Sequence, residues 1–345
     1  MNSRERVIKA LNHEVTDRPP FSATFVPEIE KQLRTMVGEE EYDLGVALGN
    51  DMVKTCVGFE TSYDASPELT YVCKWGCTWR NVSNATGKYT EIISHPLAGD
   101  KSLLASYEIP DPEEDSQYDE CRKIIDLYGD SKWVIGSCQC TVFEAAWYLR
   151  GMEDFMMDMA LDEDYTKKLI KKVSAFAFVA AKKYIELGVD MLWFGDDIAS
   201  QNGMMMSLDM WRNYYKPVYK ELFAYCKSLN PNIKIAYHSC GNLEVAIPDL
   251  IEIGLDVLNP IQPLAMNPAM IKEKYGDQLV LFGALDVQLT MPTKSPEAVK
   301  AETAWLKDVC GKGGGYILNP AHHLQSDTPI KNVMAFYEEA VKAVE

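Results

Sequence analysis

The chain has 345 residues, 47% of them hydrophobic, and a formal net charge of −17. That length holds one large α/β domain or two ordinary ones, and the acidic balance argues against nucleic-acid or anionic-membrane partners, which call for clustered Lys and Arg. No apolar run approaches the ~20 residues needed to span a bilayer, and Met1 to Arg6 lacks the apolar core of a signal peptide, so a cytoplasmic protein is expected.

In chain order, Phe21 to Phe25, after Pro19-Pro20, reads as a first strand and Met52 to Phe59 as a second. Leu69 to Val82 and Tyr89 to Ile93, rich in Tyr, Trp, Thr and Val, read as a hairpin-like excursion. A regular alternation follows. Strands are expected at Trp133 to Gly136, Met191 to Phe194, Ile233 to Tyr237, Asp256 to Asn259, Leu279 to Phe282 and Tyr316 to Leu318. Amphipathic helices separate them, the longest from Tyr165 to Leu187, and a last helix runs from Thr328 to Val344. Apolar strands alternating with helices imply a parallel sheet covered on both faces. About eight such units without a linker fit an α/β single-domain (β/α)8 TIM barrel, residues 1–345, with an N-terminal extension and the excursion around 69–93. A doubly wound sheet fits less well, because no Gly-rich phosphate loop follows the first strand. Gly311 to Gly315 precedes a strand and reads as a helix stop.

Barrel chemistry collects at the C-terminal ends of the strands. Those ends carry Ser137, Cys138 and Cys140; Asp196, Asp197 and Gln201; His238 and Cys240; Asn259 and Gln262; Asp286; and Asn319, His322 and His323. In His238-Ser239-Cys240-Gly241, imidazole and thiol are two residues apart, so on extended chain both face the same side. With His322 or His323 as a third ligand, they make a metal site with an open position, and the soft thiolate favours Zn2+ over magnesium or calcium. Cys138 or Cys140 are further candidate thiolates. Asp196, Asp197 and Asp286 are candidate catalytic groups, to orient a ligand histidine or hold a proton. Asn259, Gln262, Gln201 and Trp193 are candidate substrate-binding residues. Trp75 and Trp79 of the excursion are candidates for a lid, and His95 reads as a packing residue. The nine cysteines are an odd number with no disulfide-scaffold spacing, which suits a reducing cytosol.

Several stretches resemble the uroporphyrinogen decarboxylase superfamily: Arg4-Glu5-Arg6-Val7 with Ala10-Leu11, Asp17-Arg18-Pro19-Pro20, Arg150 to Phe155, Phe194-Gly195-Asp196-Asp197, His238-Ser239-Cys240-Gly241, Gly254 to Pro263, and Asn319-Pro320 with His322. The resemblance covers essentially the whole chain and implies a (β/α)8 barrel with one of two chemistries. True uroporphyrinogen decarboxylases work without a cofactor and carry Arg-Gln-Ala-Gly-Arg-Tyr near the N-terminus. Here the stretch after Pro20 is Phe21 to Glu28, without that signature, and only Asp51 loosely resembles their catalytic aspartate region.

The other branch is the zinc-dependent methyltransferases that exchange a methyl group with a corrinoid-binding protein carrying methylcobalamin. It includes O-demethylases of methoxylated aromatics in anaerobic metabolism. Members acting on coenzyme M use His-x-Cys and a later Cys; this chain has His238 and Cys240 but His322 at the later position, which argues against coenzyme M as acceptor. The resemblance therefore implies zinc held by His238, Cys240 and His322, a corrinoid protein as partner, and a small methylated substrate. A homodimer is compatible with the sequence. The rival expectations are a cofactor-free decarboxylase of a tetrapyrrole, a non-catalytic corrinoid- or tetrapyrrole-binding barrel, and a different metal-dependent lyase on the same scaffold.

Overall fold

A computed structural model describes residues 1–38, 41–59, 68–83 and 87–344. The strands, in chain order, are β1 (Met52–Gly58), β2 (Thr70–Val72), β3 (Thr78–Ser83), β4 (Lys88–Ser94), β5 (Trp133–Gln139), β6 (Met191–Gly195), β7 (Ala199–Ser200), β8 (Gly203–Met204), β9 (Lys234–His238), β10 (Val257–Asn259), β11 (Val280–Leu285) and β12 (Tyr316–Pro320). Seven of them form one parallel sheet in the order β1-β5-β6-β9-β10-β11-β12. Helices link successive strands, among them Glu163–Leu187, Lys216–Leu229 and Pro296–Val309. The architecture is a TIM barrel.

The eighth position is filled by the segment around Phe21. Ser22 N–H donates to the Leu318 carbonyl of β12, and Asp51 N–H, just before β1, donates to the Phe21 carbonyl. The segment therefore closes the gap between the last and first strands. It makes isolated bridges at Phe21 and Phe25 instead of a full ladder, a difference from the regular strand the sequence suggests. Pro19 and Pro20 supply no N–H, which shortens what can pair there.

Side chains alternate along a strand, so every second residue points into the barrel. Met52, Trp133, Ile135, Met191, Trp193, Ala236, Val257, Val280, Phe282 and Ile317 form this inner core. Val7 and Leu11 of the helix Ser3–Leu11 join it and plug the N-terminal end of the barrel. Arg6 and Arg18 both grip the Asp51 carboxylate there, at 2.8 and 2.6 Å, and Asp51 is fully buried. Further along the same inward phase, the next residues at the C-terminal ends are Lys54 after Met52, His238 after Ala236, Asn259 after Val257 and Asn319 after Ile317.

The excursion is a three-stranded antiparallel sheet, β2-β3-β4. The turn Cys73–Cys77, with Gly76 at φ +81°, splits the first apolar run into two strands. Trp75 stacks on Phe59 at 4.2 Å and Trp79 packs edge-on against Tyr148 at 5.6 Å, so the sheet is clamped over one side of the barrel mouth. No helix among the described residues is long and apolar enough to cross a membrane.

Candidate metal centre and cavity

The barrel mouth opens into a cavity of about 860 Å³ whose walls include Lys54, Trp79, Cys140, Glu144, Tyr148, Trp193, Asp197, His238, Asn259, His322 and His323. Its chemical centre is the turn that follows β9. Three successive amides of that turn are held. Ser239 N–H donates to the Asn259 carbonyl at 2.9 Å, Cys240 N–H to Asp197 Oδ1 at 2.8 Å, and Gly241 N–H to Gln262 Oε1 at 2.8 Å. Gly241 sits at φ +82°, and a Cβ there would lie 2.5 Å from the carbonyl oxygens of Ala199 and Ser200, so only glycine fits. The turn thereby fixes where His238 and Cys240 point.

The imidazole of His238 is oriented by a second chain of bonds. Asn259 Nδ2 donates to the Phe282 carbonyl at 2.9 Å, which turns Asn259 Oδ1 toward His238 Nδ1, 2.6 Å away. An amide oxygen only accepts, so Nδ1 carries the proton and Nε2 presents its lone pair. Cys240 Sγ lies 3.7 Å from Nε2, and Asp197 Oδ1 lies 3.6 Å from it. His322 completes the group: ligand atoms of His238, Cys240 and His322 all lie within 4.8 Å of one another, the one such cluster among the described residues.

This donor set fits zinc. An imidazole nitrogen and a thiolate sulfur on one tetrahedral zinc stand roughly 3.6 Å apart, close to the Sγ–Nε2 separation of 3.7 Å. Burial, with help from His238 and Lys54, lowers the pKa of His322 to about 4, so its ring is neutral near pH 7, as a ligand must be. His323, beside it, is pushed well below the usual histidine value by burial and by His322. Burial, then Asp197 and Glu144, raises the Cys240 thiol, so in the absence of a cation it keeps its proton; a metal ion would displace that proton.

The remaining sequence candidates divide. Asp197 lines the cavity and braces Cys240. Trp193 lines it too, its ring 6.0 Å from that of His238. Gln262 is a buttress of the Gly241 turn, itself held by Gln288 at 2.6 Å, and lies outside the cavity wall. Asp196 is fully buried and accepts the amides of Val142 and Glu144 and the hydroxyl of Tyr219, so it caps the helix Phe143–Arg150. Asp286 does the same for the short helix Thr290–Thr293, accepting from Gln288, Leu289 and Thr290. Neither carboxylate reaches the cavity wall. Gln201 is exposed in the β7–β8 turn, away from the cavity. Cys138 is buried and Cys140 faces the cavity, but neither belongs to the His238 cluster. Trp79 lines the cavity while Trp75 packs behind it. His95 holds the Tyr148 carbonyl at 2.7 Å on the rim.

The sequence reasoning passed over Glu144. It sits in the first turn of the helix after β5 and faces the cavity. Tyr148 OH donates to Glu144 Oε1 and Asp197 N–H to Oε2, both at 3.2 Å. Burial first, then the neighbouring Asp197 and Asp196, raises its pKa well above the usual carboxylate value and favours the protonated form. An acid in the first turn of a helix that leaves a barrel strand was the available signal. Lys54, on β1 and on the cavity wall, was passed over as well.

The uroporphyrinogen decarboxylase (URO-D) family matches this chain over residues 80–343, and the chain belongs to that family. Among curated relatives, a methylated-thiol–coenzyme M methyltransferase of Methanosarcina mazei is 24% identical over 196 residues, 56% of this chain and 49% of that protein. A uroporphyrinogen decarboxylase of Sulfurovum sp. is 28% identical over 187 residues, 52% of this chain and 49% of that protein. The chain thus matches about half the length of these relatives. Among solved structures, a methyltransferase from Methanosarcina mazei superposes with a TM-score of 0.74 at 19% identity, covering 99% of this chain and 98% of that one. That likeness shows the fold.

Proposed function

We infer that this chain is a zinc-dependent methyltransferase that moves a methyl group between a small methylated substrate and the corrinoid of a separate protein, with O-demethylation of a methoxylated aromatic as the leading case. The observation that carries the reading is the His238–Cys240–His322 cluster set in the wall of a ligand-sized cavity. The methyltransferase named among the relatives supports it.

His238 Nε2, Cys240 Sγ and a His322 nitrogen would hold the ion. Bound there, zinc supplies Lewis acidity, which steadies a leaving alkoxide or phenoxide or keeps a thiol in its thiolate form. The protein's own groups do the rest. Asn259 keeps the His238 lone pair aimed at the ion site. Asp197 fixes the Cys240 backbone and adds negative charge beside the ligands. Glu144, on the cavity wall and with burial favouring its protonated form, would pass a proton to the oxygen released when the methyl group departs. The Trp193 ring offers an apolar face to a flat substrate.

The decarboxylases among the relatives favour a second reading, cofactor-free decarboxylation. Against it, Asp51 is clamped by Arg6 and Arg18 at the plugged end of the barrel. The test is methyl transfer to cob(I)alamin by zinc-loaded protein, read spectroscopically with methoxylated aromatics, methylated thiols and methylated amines. Cobalt methylation by at least one donor, lost in His238→Ala, is expected. No methylation by any donor, together with carbon dioxide release from a porphyrinogen by zinc-free protein, would overturn it.

A further inference from the structure

Lys54 lies on β1 in the inward phase of the barrel and lines the cavity. Its ammonium stands 4.9 Å from the centre of the Trp193 ring. It lines the same cavity as His238, His322 and His323. Among the described residues it makes no ion pair; burial lowers its pKa, and the Cys56 thiol opposes that in part. The carboxylates on the same walls are engaged elsewhere: Asp197 with Cys240, Glu144 with Tyr148, Glu30 with Arg34, Asp43 with the Val46 amide and Glu91 with Arg80. The Trp193 face attracts the cation but offers no acceptor for its three N–H groups. A half-buried cation without a partner is unfavourable, and here it stands in a ligand-sized cavity of a strongly acidic chain.

We propose that Lys54 is the specificity residue of this cavity and pairs with a carboxylate on the substrate, so that the site takes small acids such as methoxybenzoates in preference to uncharged methyl ethers. This rests on the methyl-transfer reading for the name of the substrate, but the pairing itself does not need turnover. The acid group enters toward β1, its ring lies against Trp193, and the opposite end of the molecule reaches the His238 side.

The test is calorimetric binding of 3-methoxybenzoate and of its uncharged isostere 3-methoxybenzamide to the zinc-loaded full chain. The acid is expected to bind at least ten-fold tighter than the amide. In Lys54→Met, which keeps the length of the side chain, that preference falls to about one, while Lys54→Arg retains it. Circular dichroism and an unchanged zinc content certify that each variant is folded. Equal affinity for acid and amide, a preference that survives Lys54→Met, or no binding of the acid overturns the assignment. Failure of the two claims is separable. Acid binding that depends on Lys54 with no cobalt methylation by any donor would sink the methyl-transfer reading alone. Methylation of cobalt from uncharged ethers in preference to acids would sink the role of Lys54 alone.

Discussion

Asn259 shows how much of the candidate metal centre lies outside His238, Cys240 and His322. Its amide is pinned by the Phe282 carbonyl, and this alone decides which nitrogen of His238 is free. Groups that orient a ligand imidazole typically matter 10–100-fold for metal affinity. Asn259→Ala should therefore weaken zinc binding by about that range, measured by competition with a chromophoric chelator, while His238, Cys240 and His322 are all still present. Unchanged affinity would mean that the tautomer is set by something else. The ligands themselves were legible in the sequence, because His238 and Cys240 alternate at the end of an apolar strand and the period of two puts them on one side. Glu144 and Lys54 were not. A single acid on a helix and a single lysine in a strand carry no local pattern, and their roles arise only where distant elements converge on the cavity. Asp196 and Asp286 show the reverse. They stand at strand ends, where catalytic groups gather, but their carboxylates close helix N-termini, and in the case of Asp196 that helix follows a different strand, β5.

The N-terminal helix Ser3–Leu11 is the element on which the closed end of the barrel depends. Val7 and Leu11 enter the inner core, and Arg6 reaches Asp51 beneath β1. Asp51 is fully buried and answers two arginines that are nearly so, along with the Phe21 amide at 2.9 Å. Removing one partner of such a cluster leaves uncompensated buried charge. Asp51→Ala should cost about 3–5 kcal/mol of stability, read as a lower denaturant midpoint, and loosen the segment that closes the barrel. A midpoint within error of the unaltered protein would contradict this. The helix and most strands could be anticipated from apolar periodicity. Two elements could not. Phe21 to Phe25 looks like a strand but pairs only at its ends, because its place is set by the gap between β12 and β1. The apolar run from Leu69 to Val82 looks continuous but breaks at Gly76, whose positive φ turns the chain back toward Cys73.

At the scale of the whole molecule, the barrel brings together residues that are remote in sequence: His238 and Cys240 from the end of β9, His322 from beyond β12, Glu144 from the helix after β5 and Lys54 from β1. The fold was readable because eight strand-helix units admit few arrangements. The occupant of the cavity was not, because specificity lies in tertiary placement of single side chains. Cation binding by three groups from the C-terminal ends of β9 and β12 is the claim on which the rest depends. X-ray absorption at the zinc edge, on protein loaded with the metal and freed of excess, tests it directly. The expected result is one zinc per chain, with one sulfur at about 2.3 Å and two imidazole nitrogens at about 2.0–2.1 Å, and loss of stoichiometric metal in Cys240→Ala and in His322→Ala. A protein that retains no zinc, or a zinc whose surroundings contain no sulfur, would contradict it.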